Sequence, residues 1–252
     1  MEFKRVYPKI MNQVAIDQVV AAQNVNRLLG TDCMNRLSVV NEDTVNNFRG
    51  ETPYPNFWGV NIAGCHGQTA ANITFLHEKG FKVALTYRTQ ERKRTQRQGI
   101  TVARKISTFM QEMGIPAGVS VFVEIGREPT TVEYLKGLST CLLAEGYTPG
   151  FKVNINQNHN FVLHFKKGLC GDENILADSL IWAVAPICTM DDVIRPHFIY
   201  SNNWPLFSTP HIIHDYVAIW QYGQVVSDYA SKQTTFNLHI AQNERIIIEK
   251  MF

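Results

Sequence analysis

The chain has 252 residues, 45% of them hydrophobic and 18% charged, which is apolar content enough for a sizeable core in one large domain or two small ones. A net charge of +2 offers no global attraction for nucleic acid, and the one basic run, RTQERKRTQRQ at 88–98, lacks interleaved aromatics and reads as a solvated face. Five scattered cysteines (Cys33, Cys65, Cys141, Cys170, Cys188) form no C-x-x-C pair, so neither a zinc site nor a disulfide framework is indicated.

The opening MEFKRVYPKIMNQ has no apolar core flanked by a cleavage site, so no signal peptide is read there. No stretch approaches the roughly 18 apolar residues that would span a bilayer. As written, the chain is expected to be cytoplasmic; action on a cell wall would require export by a route without a signal.

In chain order, an amphipathic segment, KIMNQVAIDQVVAAQNVNRL, precedes a short strand ending at LLGTDC. Asn41 then caps a helix with Glu42 and Asp43 in its first turn, where they suit the helix dipole. FWGVNIAG is the second strand, and TAANITFLHEKG a helix closed by Gly80. FKVALTY is the third strand. GITVARKISTFMQEMG follows as a helix with Ile100, Ala103, Ile106 and Met110 on one face. VSVFVEIG is the fourth strand, TTVEYLKGLSTCLLAEG a helix capped by Thr130 or Thr131, and GFKVNI the fifth strand. Beyond it SLIWAVAPI, YVAIWQYG and TTFNLHIA read as strands, without a clear helical period between them.

Four or five β–α units followed by irregularly connected strands predict an α/β, TIM-like closed barrel. A doubly wound open sheet is the rival, and GTDCMNRLS after the first strand lacks its G-x-G-x-x-G phosphate loop. The expected organisation is a helical extension over 1–27 and a single barrel domain over 28–252.

Chemistry in such a barrel sits at the carboxyl ends of the strands. Asp32, Asn61, Tyr87, Glu124, Asn154, Asn156, Gln221, Asn237 and His239 fall there, with Trp220 and Tyr222 flanking Gln221. Asp32 and Glu124 each interrupt an apolar run, and a carboxylate on a buried strand is costly unless paired or used. The pair suits acid-assisted hydrolysis of a glycosidic bond. Equally, each can pair with an arginine; Arg88 and Arg127 are at hand. Asn61, Tyr87, Asn154, Trp220, Gln221, Tyr222 and Asn237 are the expected substrate-binding set, the aromatics serving as a platform for a flat, hydroxyl-rich sugar ring. No H-E-x-x-H or G-x-S-x-G occurs, and neither a metal nor a cofactor is expected. Asp191 and Asp192 are the nearest spare carboxylates.

The order of several motifs resembles a known family. GTD at 30–32, FWGVNI at 57–62, EKGFKVALTY at 78–87 and ARKISTFMQEMGIPAGVSVFVEI at 103–125 follow one another, as do VEYLKGLSTCLLAEGYTPGFKV at 132–153, IWAVAP at 181–186, IWQYG and FNLHIA. Over roughly 28–242 the chain is similar to the glycoside-hydrolase-like domain called domain of unknown function 1906, a relative in fold of the family 25 glycoside hydrolase lysozymes. The resemblance implies a groove at the strand carboxyl ends, a first-strand aspartate at Asp32, a fourth-strand acid at Glu124, and a groove wall of Trp220, Gln221 and Tyr222. Two departures stand out. Glu124 is followed by Ile125 and Gly126 where the lysozymes carry D-x-E, and the closing D-x-N becomes Asn237-Leu238-His239.

Three classes of function follow. The first is a glycoside hydrolase acting on cell-wall, peptidoglycan-type polysaccharide, with catalytic residues Asp32 and Glu124. The second is an inactive barrel that binds a glycan or a protein partner through the same groove. In the third, an assembly protein, the segment 9–29 would serve as a docking helix. No nucleic-acid partner is expected.

Overall fold

The structure is a computed structural model that describes residues 27–33, 56–62, 70–89, 95–126, 129–155, 157–170, 174–188, 213, 215–229, 232–242 and 249–252. The expected N-terminal extension, the helix after Asn41, Arg127, Asn156, Asp191 and Asp192 lie outside these residues.

Eight strands hydrogen-bond in chain order and close on themselves as a barrel: β1 (Arg27–Cys33), β2 (Phe57–Asn61), β3 (Lys82–Arg88), β4 (Ser120–Ile125), β5 (Thr148–Val153), β6 (Leu180–Cys188), β7 (Val217–Tyr229) and β8 (Lys232–Gln242). Strands β1 to β7 are mutually parallel, whereas β8 runs antiparallel to both β7 and β1 and seals the sheet. The expected α/β TIM-like barrel is the architecture found, with one reversed strand. Full closure removes the edges that an open sheet would leave unpaired.

Helices α1 (Ala70–Glu78), α2 (Gln96–Glu112), α3 (Val132–Ala144) and α4 (His159–Leu169) follow β2, β3, β4 and β5. Helix α2 begins three residues earlier than its periodicity suggests, because Thr95 and Gln98 form a reciprocal capping box. Thr131 caps α3, and Gly80 and Gly146 take positive φ just past α1 and α3. Helix α4 was not legible in the sequence; Asn158 caps it, and Phe161, Val162, Phe165 and Leu169 form its buried stripe. Two histidines and two lysines dilute that stripe. No helix among the described residues is long and apolar enough to cross a membrane.

Alternation along the strands sorts side chains into two cores. The outer core joins the strand residues Val83, Leu85, Val121, Val123 and Phe151 to the helix residues Ile106, Leu138 and Phe165. The inner core is made by Phe57, Ala84, Phe122, Trp182, Ala218, Ile219 and Ala241, with Met251 from the C-terminal segment. Two of its rings need glycine opposite them. A Cβ on Gly30 would lie 2.2 Å from the Phe57 ring, and one on Gly150 would lie 2.6 Å from that of Phe122. The result is an aromatic floor inside the barrel.

Helices α2 and α3 touch backbone to backbone. A Cβ on Gly99 would stand 2.3 Å from the Tyr134 carbonyl oxygen, and one on Gly137 would stand 2.6 Å from that of Gln96. Gly99→Ala should therefore cost about 1–3 kcal/mol through forced separation of the helices. Thermal unfolding should show a midpoint lowered by about 2–4 °C per kcal/mol. Gly126→Ala, whose methyl meets nothing within 4 Å, serves as the control; an equal loss there would remove the packing explanation.

Candidate functional site

Above the floor, at the carboxyl ends of the strands, the inward positions become polar. Asp32 on β1 is 7% exposed and stands in register with Gly59 of β2 and Asn237 of β8. Gly59 makes room for it, since a Cβ there would lie 2.8 Å from the Asp32 Cβ and 2.9 Å from the Trp182 ring. Lys152 Nζ on β5 donates to Asp32 Oδ2 at 2.6 Å. Asn237 Nδ2 donates a short hydrogen bond to Asp32 Oδ1, and Gln221 Nε2 donates to Asn237 Oδ1 at 2.9 Å. His239 Nε2 lies 3.4 Å from Asp32 Oδ2, beyond a good hydrogen-bond length, and neither ring nitrogen has a hydrogen-bond partner.

Trp182 lies beneath this network. The Lys152 ammonium is 4.4 Å from its ring centroid, in cation–π range, and the His239 ring meets it edge-on at 4.7 Å. Burial by itself raises the Asp32 pKa, but the Lys152 charge and its bond to the carboxylate, with the nearby His239 ring acting in the same direction, outweigh it and hold the group well below the usual carboxylate range. Burial lowers the His239 pKa; Asp32 opposes the shift, and Lys152 adds to it. Asp32 is thus a fixed anion and His239 a neutral imidazole.

Glu124 differs from Asp32 in exposure and in partner. It occupies an inward position of β4, in register with Arg88 on β3 and Lys152 on β5, and its side chain is 25% exposed. Its Oε2 pairs with Arg88 Nε at 2.9 Å, and the arginine side chain is itself 56% exposed. One of the two arginines considered for such pairing is therefore the partner.

Of the expected binding residues, Gln221 and Asn237 join the Asp32 network, and alternation from Phe57 and Gly59 carries Asn61 to the same inner face. Three aromatics do not reach it. Tyr87, Trp220 and Tyr222 are buried in the outer core, because each is the immediate neighbour of an inward residue and so points the other way. Tyr87 packs against Phe109 at 6.4 Å, and Trp220 against Tyr222 at 5.7 Å, with Trp220 Nε1 donating to the Ala185 carbonyl at 3.0 Å. The expected aromatic platform on β7 is therefore corrected: only Gln221 of that trio faces the interior. Asn154 turns the chain into α4, its Oδ1 accepting from the Gln157 N–H at 3.1 Å and its carbonyl accepting from the Asn158 N–H at 2.9 Å.

Lys152 and Trp182 are the residues sequence reasoning missed. A signal existed for Lys152: Phe151 and Val153 flank it as outward residues, which sends a lone cation inward, where it needs a counter-charge. Among the described residues no group of three or more His, Cys, Asp or Glu side chains is arranged to hold a metal ion.

A closed eight-stranded α/β barrel with its polar cluster at the strand carboxyl ends defines the class, a TIM-like barrel protein. The sequence matches no protein-family description and no curated protein. Among solved structures the chain is similar to an uncharacterized B. stearothermophilus protein, with 21% identity and a TM-score of 0.69 over 89% of this chain and 100% of that one. It is also similar to GHIP, a glycosyl hydrolase 25 of Streptococcus pneumoniae, with 12% identity and a TM-score of 0.54 over 96% and 98%. A third likeness is to the modular autolysin LytC of the same organism, solved with a synthetic peptidoglycan ligand: 11% identity and a TM-score of 0.51 over 84% of this chain and 46% of that one. At these identities the shared property is a glycoside-hydrolase-like fold.

Two outcomes follow from the buried charges. Lys152→Met leaves Asp32 an uncompensated buried anion and should cost about 3–5 kcal/mol, whereas Asp32→Asn combined with Lys152→Met should recover much of that loss in denaturant unfolding. The pH dependence has a definite sign. The unfolded chain protonates His239 near pH 6.5 and the folded chain resists it, so this contribution to stability is complete above about pH 6.5 and falls as the solution is acidified. Asp32 adds a second loss below about pH 4. His239→Phe should flatten the upper limb, by at most about 1.4 kcal/mol per pH unit, in unfolding midpoints measured from pH 7 to pH 5. An unchanged slope would mean that another group sets it.

Proposed function

We propose that this protein is a glycoside-hydrolase-like barrel of the domain of unknown function 1906 type that acts on peptidoglycan-type polysaccharide at the carboxyl-end mouth of the barrel, with Glu124 as the acid. The observation that carries the reading is the contrast between the two inward acids among the described residues: Asp32 is buried and fixed as an anion, whereas Glu124 is partly exposed at the mouth beside Arg88. Environments that differ in this way separate the roles of two carboxyl groups. The fold shared with GHIP and LytC supports a glycan as the ligand.

In this reading, protonated Glu124 gives its proton to the glycosidic oxygen as the bond from the anomeric carbon to that oxygen breaks. The charge of Asp32 is largely taken by Lys152 and Asn237, so its role is to orient the sugar rather than to attack it. The oxygen of the substrate's own acetamido group then serves as the nucleophile, and water opens that intermediate, adding hydroxyl to the anomeric carbon and returning a proton to Glu124. The same neutralisation of Asp32 favours a second reading, a barrel that binds glycan without cleaving it.

Glu124→Gln keeps the shape and removes the transferable proton. It should reduce release of reducing ends from purified peptidoglycan by about 10²–10⁴-fold, the usual worth of general acid help, with folding and glycan binding intact. Retained binding with no release by wild-type protein would favour the second reading. Equal activity of the variant would remove Glu124 as the acid.

A further inference from the structure

The ion pair at the mouth has a consequence for the choice of substrate. From it, and resting on the reading of the mouth as a glycan site, we infer that Arg88 is a specificity-determining residue that recognises a carboxylate on the polysaccharide and thereby releases Glu124. Arg88 Nε lies 2.9 Å from Glu124 Oε2, the one ion pair shown for this side chain among the described residues. A guanidinium carries five N–H donors in a planar fork suited to bidentate binding of a carboxylate. Here the fork is carried on a side chain more than half exposed, with only its Nε placed against Glu124 among the described residues.

The second cation of the inward face cannot serve in its place. The Lys152 side chain is only 10% exposed, bonded to Asp32 at 2.6 Å and seated over Trp182. Of the two inward cations among the described residues, Arg88 is the exposed one, and its present partner is the proposed acid. An ion-paired carboxylate is an acceptor with no proton to give. Glu124 therefore acts as an acid only after Arg88 leaves it. A substrate carboxylate exchanges with Glu124 for the guanidinium, and the freed Glu124 stands beside the sugar that displaced its partner. Neutral glycans lack the group that performs this exchange. The carboxylate can come from a uronic acid or from the lactyl ether of a peptidoglycan strand stripped of its peptides.

Three probes separate these sources by calorimetric titration at low ionic strength: hyaluronan hexasaccharide for the uronate, peptide-free peptidoglycan strands for the lactyl carboxylate, and chitohexaose as the neutral counterpart. The expected result is about tenfold tighter binding of at least one carboxylated probe than of chitohexaose, the scale of a charge-assisted contact, and loss of that preference in added salt. Arg88→Gln should abolish the preference and leave chitohexaose binding unchanged. Glu124→Gln should strengthen carboxylate binding several-fold by removing the internal competitor, an effect that a merely structural Arg88 would not produce. Equal binding of all three probes, or a preference that survives Arg88→Gln, overturns the inference and leaves the glycan reading standing. Binding of none of them overturns both.

Discussion

One buried carboxylate organises the interior of this barrel. Asp32 stands on the inner face of β1, and the charge it brings into an apolar lumen must be met there. Lys152 supplies the counter-charge, Asn237 the second hydrogen bond, Gln221 fixes Asn237 in turn, and Gly59 leaves the space. Four strands besides β1 are thereby committed to one residue: β2, β5, β7 and β8. The reversed strand β8 matters most, because it carries both Asn237 and His239 inward beside β1. A buried pair of this kind gives little net stability against an apolar equivalent, yet removal of one partner is expensive. What it secures is a defined arrangement at the mouth.

The aromatic floor under the network has a complementary part. Phe57, Phe122 and Trp182 fill the lumen where TIM-like barrels are packed rather than open, and glycines on the adjacent strands accept the two phenylalanine rings. With water excluded below and ions fixed above, the solvent-facing charges are left to the rim. There Glu124 and Arg88 face one another. The site is thus graded, from apolar at the floor, through a fixed ionic layer, to a partly exposed ion pair at the rim. Such a gradient suits a ligand that approaches from the carboxyl end and brings its own polar groups.

How much of this was legible beforehand varies with the length scale of the physics involved. Alternating apolar strands and capped helices announced the barrel through β5, because period and capping are local properties of the chain. Asp32 and Glu124 were visible as charges interrupting apolar runs. The aromatic motif of β7 was read on the wrong face. Alternation alone places Trp220 and Tyr222 together and opposite Gln221, but which set faces the lumen depends on the neighbouring strands and on register shifts in the β6–β7 pairing. Helix α4 was hidden by charged and imidazole side chains on a short segment whose buried stripe the barrel wall completes.

The sequence by itself determined the class of fold, the inward acids and the amides beside them, since each is written in the residue types and in spacings of two or three to four along the chain. Only the tertiary structure decided which charges meet. Lys152 lies 120 residues from Asp32, and Asn237 lies 205 residues from it. Nothing local links them, and closure of the barrel by an antiparallel β8 brings them together. Residues far apart in the chain become partners because a closed sheet has one interior, and every inward charge must be balanced there.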